Sequence, residues 1–337
     1  MRRMRSRTPA RGPELTELGL GASQLGNLFR ETSDADAQGA VDAAWDSGVR
    51  YFDTAPHYGL GLSERRLGAA LARRPRAEYT VSTKVGRLLV PSPETAHRQD
   101  DGGFAVPASF RRDWDFSRDG ILRSLEGSLT RLGLDHVDVV YLHDPDDHWQ
   151  QASTTGVDSL VELRDQGVVK AVGVGMNQAA MLTEFVRRSD VDLVMVAGRH
   201  TLLDRSARDE LLPLAGERGV GVVAAAVYNS GLLATDRPPS DATYDYLPAL
   251  CELIARTDAL ADVCERHGVT LPEAAIAYPL RHPAVVSVVV GARDARQSRT
   301  NAERLAARVP DALWAELADL GLVTEAPDGP STPRGRS

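Results

Sequence analysis

Val169-Lys-Ala-Val-Gly-Val174, then Gln178-Ala-Ala-Met-Leu-Thr-Glu-Phe-Val-Arg-Arg188, then Leu193-Val-Met-Val196 is a β-branched run, an amphipathic run and a second β-branched run. A strand, a helix and a strand in that order make the unit of a parallel sheet. The alternation continues in both directions. Strands are predicted at Leu18–Gln24, Val49–Asp53, Tyr79–Lys84, Val137–His143, Val169–Val174, Leu193–Val196, Val220–Val227 and Val285–Val290. Helices are predicted at Ala35–Ser47, with Ser33 and Asp34 as candidate caps, and at Glu64–Ala72, Ser117–Leu132, Gly156–Gln166, Gln178–Arg188, Ala207–Arg218, Ala255–His267 and Ala295–Arg308. Eight such units fit a closed (β/α)8 barrel, an α/β fold, better than an open doubly wound sheet, because barrels of this kind take about 250 residues plus insertions. No linker divides the chain, so one domain is expected over residues 15–324. Residues 1–14 are expected to be a flexible arm and residues 325–337, rich in Pro, Gly and Ser, a disordered tail. Two long segments, Val85–Phe116 and Tyr228–Ile254, leave the C-terminal ends of strands, where barrel enzymes build their pockets.

The composition narrows the chemistry. With 39 Lys and Arg against 47 Asp and Glu in 337 residues, the formal charge is −8. That balance argues against nucleic acid or an anionic membrane as partner and favours a small molecule. No run of about 18 apolar residues is present for a membrane span, and the arginine-rich start lacks the apolar core of a secretory signal. Cys251 and Cys264 fall on what read as two helical stretches. Buried free thiols in a reducing compartment are expected there, with a disulfide or a metal pair as alternatives, and the expected location is cytoplasmic. Only two of the basic residues are lysines, Lys84 and Lys170.

Several familiar motifs fail. Gly19-Leu-Gly21-Ala-Ser-Gln24 lacks the third glycine of a dinucleotide fingerprint, Gly173-Val-Gly175 has Gln178 in that slot, and Gly59-Leu-Gly61 is followed by Glu64. Neither a phosphate loop of the Walker type nor a Gly-x-Ser-x-Gly elbow occurs. His143-Asp-Pro-Asp-Asp147-His148 carries metal-ligand types, but the His-x-His pair usual in barrel metallohydrolases is absent. No metal is expected.

Three predicted strands end in titratable residues, Tyr51-Phe-Asp53, Val81-Ser-Thr-Lys84 and Val140-Tyr-Leu-His143, and Tyr58 stands five residues after the first. Proton-coupled carbonyl chemistry needs these four types. Lowering a tyrosine pKa from about 10 to about 7 takes roughly 4 kcal/mol. A lysine cation about 4 Å away supplies about that much at an effective dielectric of about 20. Lys84 is therefore expected to lower Tyr58, Asp53 to keep Lys84 charged, and His143 to orient the substrate oxygen. Singly, each has a structural alternative: a turn cap for Asp53, a loop surface for His57 and Tyr58, a snorkelling side chain for Lys84, a satisfied rim histidine for His143. Four complementary types on adjacent strand ends favour chemistry, and His57 keeps the surface reading.

Asp53-Thr-Ala-Pro-His-Tyr58-Gly, Ser82-Thr-Lys84 and Leu142-His143 resemble the catalytic segments of the aldo-keto reductase superfamily, NAD(P)-dependent barrel oxidoreductases, over residues 15–322. Trp114-Asp-Phe-Ser, Gly175-Met-Asn, Ala197-Gly-Arg-His-Thr-Leu-Leu-Asp204, Asn229-Ser-Gly-Leu-Leu-Ala and Val288-Val-Val-Gly-Ala-Arg293 narrow the resemblance to the branch with D-threo-aldose (L-fucose) 1-dehydrogenases, L-galactose dehydrogenases and pyridoxal 4-dehydrogenases. The resemblance implies Tyr58 as proton donor or acceptor, tuned by Lys84 and Asp53, with His143 orienting the substrate. It also implies NADP or NAD as cofactor, with carboxamide contacts on Met176 and Asn177 and ring stacking on Tyr228. Asn229, Ser230, Gly231 and Leu232 would then lie along the pyrophosphate, where backbone amides suit an anion. Gly291, Arg293, Gln297 and Asn301 would hold the adenosine end at a helix N-terminus. Arg293, Arg296 and Arg299 make that loop locally basic, a solvated helix face being the alternative for Arg296 and Arg299. Ala197 stands where many members carry a glutamine, and His200 where the branch usually has tyrosine.

The expected function is oxidation or reduction at an aldehyde or lactol carbon, first of all an aldose 1-dehydrogenase. Pyridoxal 4-dehydrogenase and a general aldehyde or ketone reductase are the near alternatives. A metal-dependent barrel hydrolase and a non-catalytic, cofactor-binding partner subunit are the distant ones. Trp114, Phe104 and Phe110 are expected to offer the substrate an apolar face, packing of their loop against the barrel being the alternative. The expected partner is a sugar or aldehyde, bound by a monomer or homo-oligomer.

Overall fold

The computed structural model describes residues 4–239, 241–245 and 247–323. Eight strands close into a barrel: β1 (Leu18–Gly21), β2 (Tyr51–Asp53), β3 (Thr80–Val85), β4 (Val139–His143), β5 (Ala171–Met176), β6 (Leu193–Ala197), β7 (Gly221–Ala225) and β8 (Val285–Gly291). Each pairs in parallel with its predecessor, and β8 returns to β1 from Val288↔Leu18 to Gly291↔Gly21. Strands of this kind are covered on both faces and so need continuous apolar runs, as in Leu193-Val-Met-Val196. The single-domain (β/α)8 barrel is therefore as expected. Its helices lie within a few residues of the sequence reading, except that the one predicted from Ala207 begins at Leu211 and the one predicted from Ala255 begins at Cys251. Ser33 caps the first, its Oγ accepting from the Asp36 amide at 3.0 Å.

Two apolar layers result from the alternation of side chains along each strand. Tyr51, Val139, Tyr141, Leu193, Met195 and Val223 fill the barrel interior. Phe52, Val140, Leu142, Val172, Val194 and Val222 face outward to the helices. Gly19 leaves the room that the Tyr51 ring occupies: a Cβ there would lie 2.7 Å from its Cδ1.

Three features depart from expectation. Residues 4–14 are not a free arm. Ser6–Arg7 pairs antiparallel with Leu15–Thr16, Arg7 donates to the Val285 and Leu280 carbonyls at 2.9 Å each, and Arg11 Nε lies 2.9 Å from the buried Asp192. The buried Asp192 carboxylate and the Leu280 and Val285 carbonyls at the bottom of the barrel hold this arginine-rich segment, which composition alone does not show. The tail expected at 325–337 lies outside the described residues. Cys251 and Cys264 share one helix, Cys251–Arg266, and Cys251 is exposed while Cys264 is buried. Helices Leu271–Ala277 and Asp311–Asp319 are additional; with Cys251–Arg266 they enclose a second apolar cluster around Leu260, Cys264 and Trp314. Among the described residues no helix is long and apolar enough to cross a membrane.

Candidate active site

Register assembles the site. With Tyr51, Tyr141 and Met195 pointing into the barrel, the two-residue period places Asp53, His143 and Ala197 inside as well, at the last inward position of β2, β4 and β6. Asp53 pairs with Ser82, Lys84 with Tyr141, and His143 with Gly175. The Lys84 ammonium donates to three acceptors: Asp53 Oδ2 at 2.6 Å, the Thr54 carbonyl at 3.1 Å and Tyr58 Oη at 3.1 Å. Its three N–H bonds are thereby all directed. Ser82 Oγ fixes the other carboxylate oxygen, donating to Asp53 Oδ1 at 2.6 Å, and lies 3.0 Å from the Tyr51 hydroxyl beneath it. The His143 ring stands edge-on to Tyr58, centroids 5.8 Å apart. Asp53, Lys84, Tyr58 and His143 thus come together at one end of the barrel.

Tyr58 reaches that point because its loop is clamped from behind. A Cβ on Gly59 would lie 2.2 Å from the Gly26 carbonyl oxygen, and Gly59 has φ of 61°. Thr54 and Ser63 share a hydrogen bond at 2.9 Å, and Ser63 also donates to the Ala22 carbonyl at 2.7 Å. The β1 end, the Tyr58 loop and the helix Leu62–Leu71 are therefore fastened to one another.

Electrostatics partly reverse the expectation. Burial pushes the Tyr58 phenol up, and the Lys84 charge, pulling the other way, does not cancel it, so the net shift is upward rather than towards 7. Burial works against the Lys84 ammonium, but Asp53 and Tyr58 outweigh it and hold the ammonium form. His143 is pushed far below its ordinary value by burial and then by Arg87 and Lys84, so it faces the cavity as a neutral imidazole.

A cavity of about 1010 Å³ opens above these groups and runs between the β7 and β8 ends. Met176, Asn177, Tyr228, Asn229, Ser230, Gly231, Gly291, Arg293, Gln297, Asn301 and Phe104 all line it. Leu232, Trp114 and Phe110 do not. Leu232 is buried in the second apolar cluster. Trp114 stacks on Phe116 at 5.9 Å under the Arg87 guanidinium, and Phe110 packs against the Leu60, Phe104 and Val106 cluster behind the cavity wall. The cause is a hairpin, Arg87–Pro91 with Phe110–Trp114, inside the segment read as a long loop; it turns both aromatics away.

The amides of Asn229, Gly231 and Leu232 already donate within their own turn, to Ala226, Tyr228 and Asn229 at 2.9, 3.0 and 3.1 Å. The resemblance implied these residues along a pyrophosphate, and in the structure these three amides are engaged within the turn. Arg293 donates to the Leu28 carbonyl at 2.7 Å, the Arg30 carbonyl at 2.9 Å and Thr32 Oγ1 at 2.5 Å, bracing the loop between β1 and its helix. Arg296 is exposed and lines the cavity; Arg299 is exposed and does not. Ala197 lines the cavity, whereas His200 is buried against Tyr278, ring centroids 5.4 Å apart.

Other lining residues escaped the sequence reading. His57, read as surface, forms part of the wall, its ring 5.2 Å from Phe104 and 5.6 Å from His143. Asp144 faces the cavity and pairs with Arg87. Arg304 lies 5.5 Å over the Tyr228 ring and donates to the Ala234 carbonyl at 2.9 Å. Asp245, on the second long segment, is held by Arg199 at 2.8 Å. No group of three or more His, Cys, Asp or Glu placed to hold a metal ion occurs among the described residues.

Comparison with known proteins agrees with this geometry. The profile of the Aldo/keto reductase family matches residues 17–321. A D-threo-aldose 1-dehydrogenase from a Pseudomonas species is 49% identical over 317 residues, 93% of this chain and 96% of that protein. Pyridoxal 4-dehydrogenase from Microbacterium luteolum is 38% identical over 330 residues, again 93% of this chain and 96% of that protein. Among solved structures, an aldo-keto reductase from Bacillus halodurans in its holo form superposes with a TM-score of 0.73 at 26% identity, covering 94% of this chain and 96% of that one. A barrel closed in chain order, with an aspartate, a tyrosine, a lysine and a histidine meeting at its rim, and a profile match over nearly the whole described chain have one reading: the protein belongs to the aldo/keto reductase family of NAD(P)-dependent oxidoreductases.

Proposed function

We propose that the protein oxidises the anomeric carbon of a free aldose to a lactone, with Tyr58 as the proton acceptor. The observation that carries this is the Lys84 ammonium held between Asp53 Oδ2 and Tyr58 Oη at 2.6 and 3.1 Å. A cation bonded to the phenol oxygen favours the phenolate, the form that takes a proton. Neutral His143 donates to the sugar oxygen from the other side of Tyr58. The anomeric hydroxyl loses its proton to Tyr58 as its carbon loses a hydride, so carbon and oxygen leave as a lactone carbonyl. The high identity to a D-threo-aldose 1-dehydrogenase supports the choice of an aldose over other carbonyl substrates.

The residues suit a bound nicotinamide dinucleotide. Asn229 Oδ1 is buried without a partner at the cavity wall, and Arg296 and Arg304 supply positive charge along it. Such a cofactor, when bound, takes up the hydride. Met176, Asn177 and Tyr228 would hold its nicotinamide end, and Gly291, Gln297 and Asn301 its adenosine end. Of the two dinucleotides, NAD is the better fit, because Arg293 gives its guanidinium to Leu28, Arg30 and Thr32 rather than leaving it for a 2′-phosphate.

A nicotinamide absorbance screen of the purified protein tests this, using NAD and NADP against L-fucose, D-arabinose, L-galactose, pyridoxal and simple aldehydes. Aldose oxidation with kcat/KM at least tenfold higher for NAD is expected. Turnover of pyridoxal or simple aldehydes with no aldose oxidation contradicts the reading.

A further inference from the structure

The two residues that meet the reacting oxygen each have a chain neighbour whose side chain also enters the cavity. His57 precedes Tyr58, and Asp144 follows His143. We propose that His57 and Asp144 read the hydroxyls on the ring carbons next to the reacting one, making this site selective for a polyhydroxylated, ring-form sugar. The inference rests on the aldose reading above.

His57 is held for such a task and has nothing else to do. Neither of its ring nitrogens has a hydrogen-bond partner among the described residues, and Nδ1 is buried. Its position is nonetheless fixed: the ring is perpendicular to Phe104 at 5.2 Å and edge-on to His143 at 5.6 Å, and Arg112 donates to its backbone carbonyl at 3.1 Å. Arg112 is in turn clamped by Asp100 at 2.6 Å. Burial, together with Arg87, Arg112 and Lys84, lowers its pKa to about 2, so the ring is neutral and offers one donor and one acceptor. A hydroxyl is both and matches either nitrogen.

Asp144 complements it. Its backbone sits in the left-handed region at φ 41°, where a residue other than glycine is strained, and its amide donates to the Gly175 carbonyl at 2.9 Å. That conformation brings the carboxylate back over the cavity, Oδ2 lying 3.5 Å from His143 Nε2 and bonded to Arg87. Arg87 is itself braced over the Trp114 ring at 4.3 Å. An oriented carboxylate beside the reacting centre accepts from a neighbouring hydroxyl, and a substrate without that hydroxyl leaves it with Arg87 alone and an acceptor position unfilled.

The experiment is the selectivity of wild-type, His57→Phe and Asp144→Asn proteins for L-fucose against 2-deoxy- and 3-deoxy-L-fucose. A ratio of kcat/KM values within one preparation cancels any loss of folded enzyme. Wild type is expected to prefer L-fucose by about 100-fold over at least one deoxy sugar. Each variant is expected to lose at least tenfold of a preference, chiefly through KM for L-fucose. Active variants that keep both wild-type ratios within twofold overturn this inference alone. A wild-type protein that oxidises none of the three sugars overturns the aldose reading and this inference with it.

Discussion

Lys84 and Lys170 are the chain's two lysines, and the structure gives them different work. Lys170 is largely exposed and pairs with Asp138 at 2.8 Å near the start of β5, where arginine would serve equally. Lys84 is buried and spends its three N–H bonds on Asp53, Thr54 and Tyr58. A planar guanidinium cannot direct three bonds from one atom to Asp53, Thr54 and Tyr58. Lys84→Arg is therefore expected to lower kcat by about 100-fold while keeping the melting temperature within a few degrees, checked by steady-state kinetics and a thermal scan. At this scale the sequence is informative about residue types: strand-end Asp53, Lys84 and His143 can be picked out from period and position. The direction of the Tyr58 shift cannot, because it depends on how much solvent the loop excludes. Nor can the place of His57, whose wall is completed by Phe104 and Arg112 from a segment some fifty residues away.

At the scale of elements, the fit between the turn Ser23–Gly26 and the loop carrying Tyr58 decides where the phenol stands. Gly26 and Gly59 approach so closely that neither admits a Cβ: one on Gly26 would lie 2.6 Å from the Tyr58 carbonyl carbon. Gly59→Ala is expected to cost about 1–3 kcal/mol of stability and to reduce kcat more than KM, since it moves Tyr58 relative to Lys84. Urea unfolding alongside kinetics on L-fucose checks both effects. Strands and helices were readable here because each carries its own period, 2 or 3.6. The hairpin Arg87–Pro91 with Phe110–Trp114 was not, since its strands are short and half-exposed, the second is mostly charged, and their pairing is stated only by the fold. Trp114 and Phe110 ride on it and take the packing alternative rather than the pocket face.

For the whole molecule, the barrel separates stability from chemistry. The cavity lies at the C-terminal ends of the strands, and the segment 4–14 closes the other end through Arg7 and Arg11. Removing residues 1–11 is expected to lower the melting temperature by several degrees, because the Leu280 and Val285 carbonyls and Asp192 lose partners, and to leave kcat/KM within about twofold. An unchanged melting temperature would return that segment to the status of a loose arm. The barrel itself was legible because eight repeats of one unit leave few alternatives. The anchoring of the arm was not, since its partners Leu280, Val285 and Asp192 are remote in sequence.

The central claim is that Tyr58 handles the proton, and the Tyr58→Phe protein tests it most directly. Oxidation needs the phenolate, so wild-type kcat/KM for L-fucose should rise with pH from about 6 to about 9, the phenol of the free site lying above that range. His143, neutral throughout, should add no limb of its own. Measured across that range, Tyr58→Phe is predicted to bind NAD with near wild-type affinity by fluorescence quenching, to oxidise L-fucose about 1000-fold more slowly, and to lose the rise with pH. A variant that turns over within tenfold of wild type, or keeps the same pH dependence, contradicts the account.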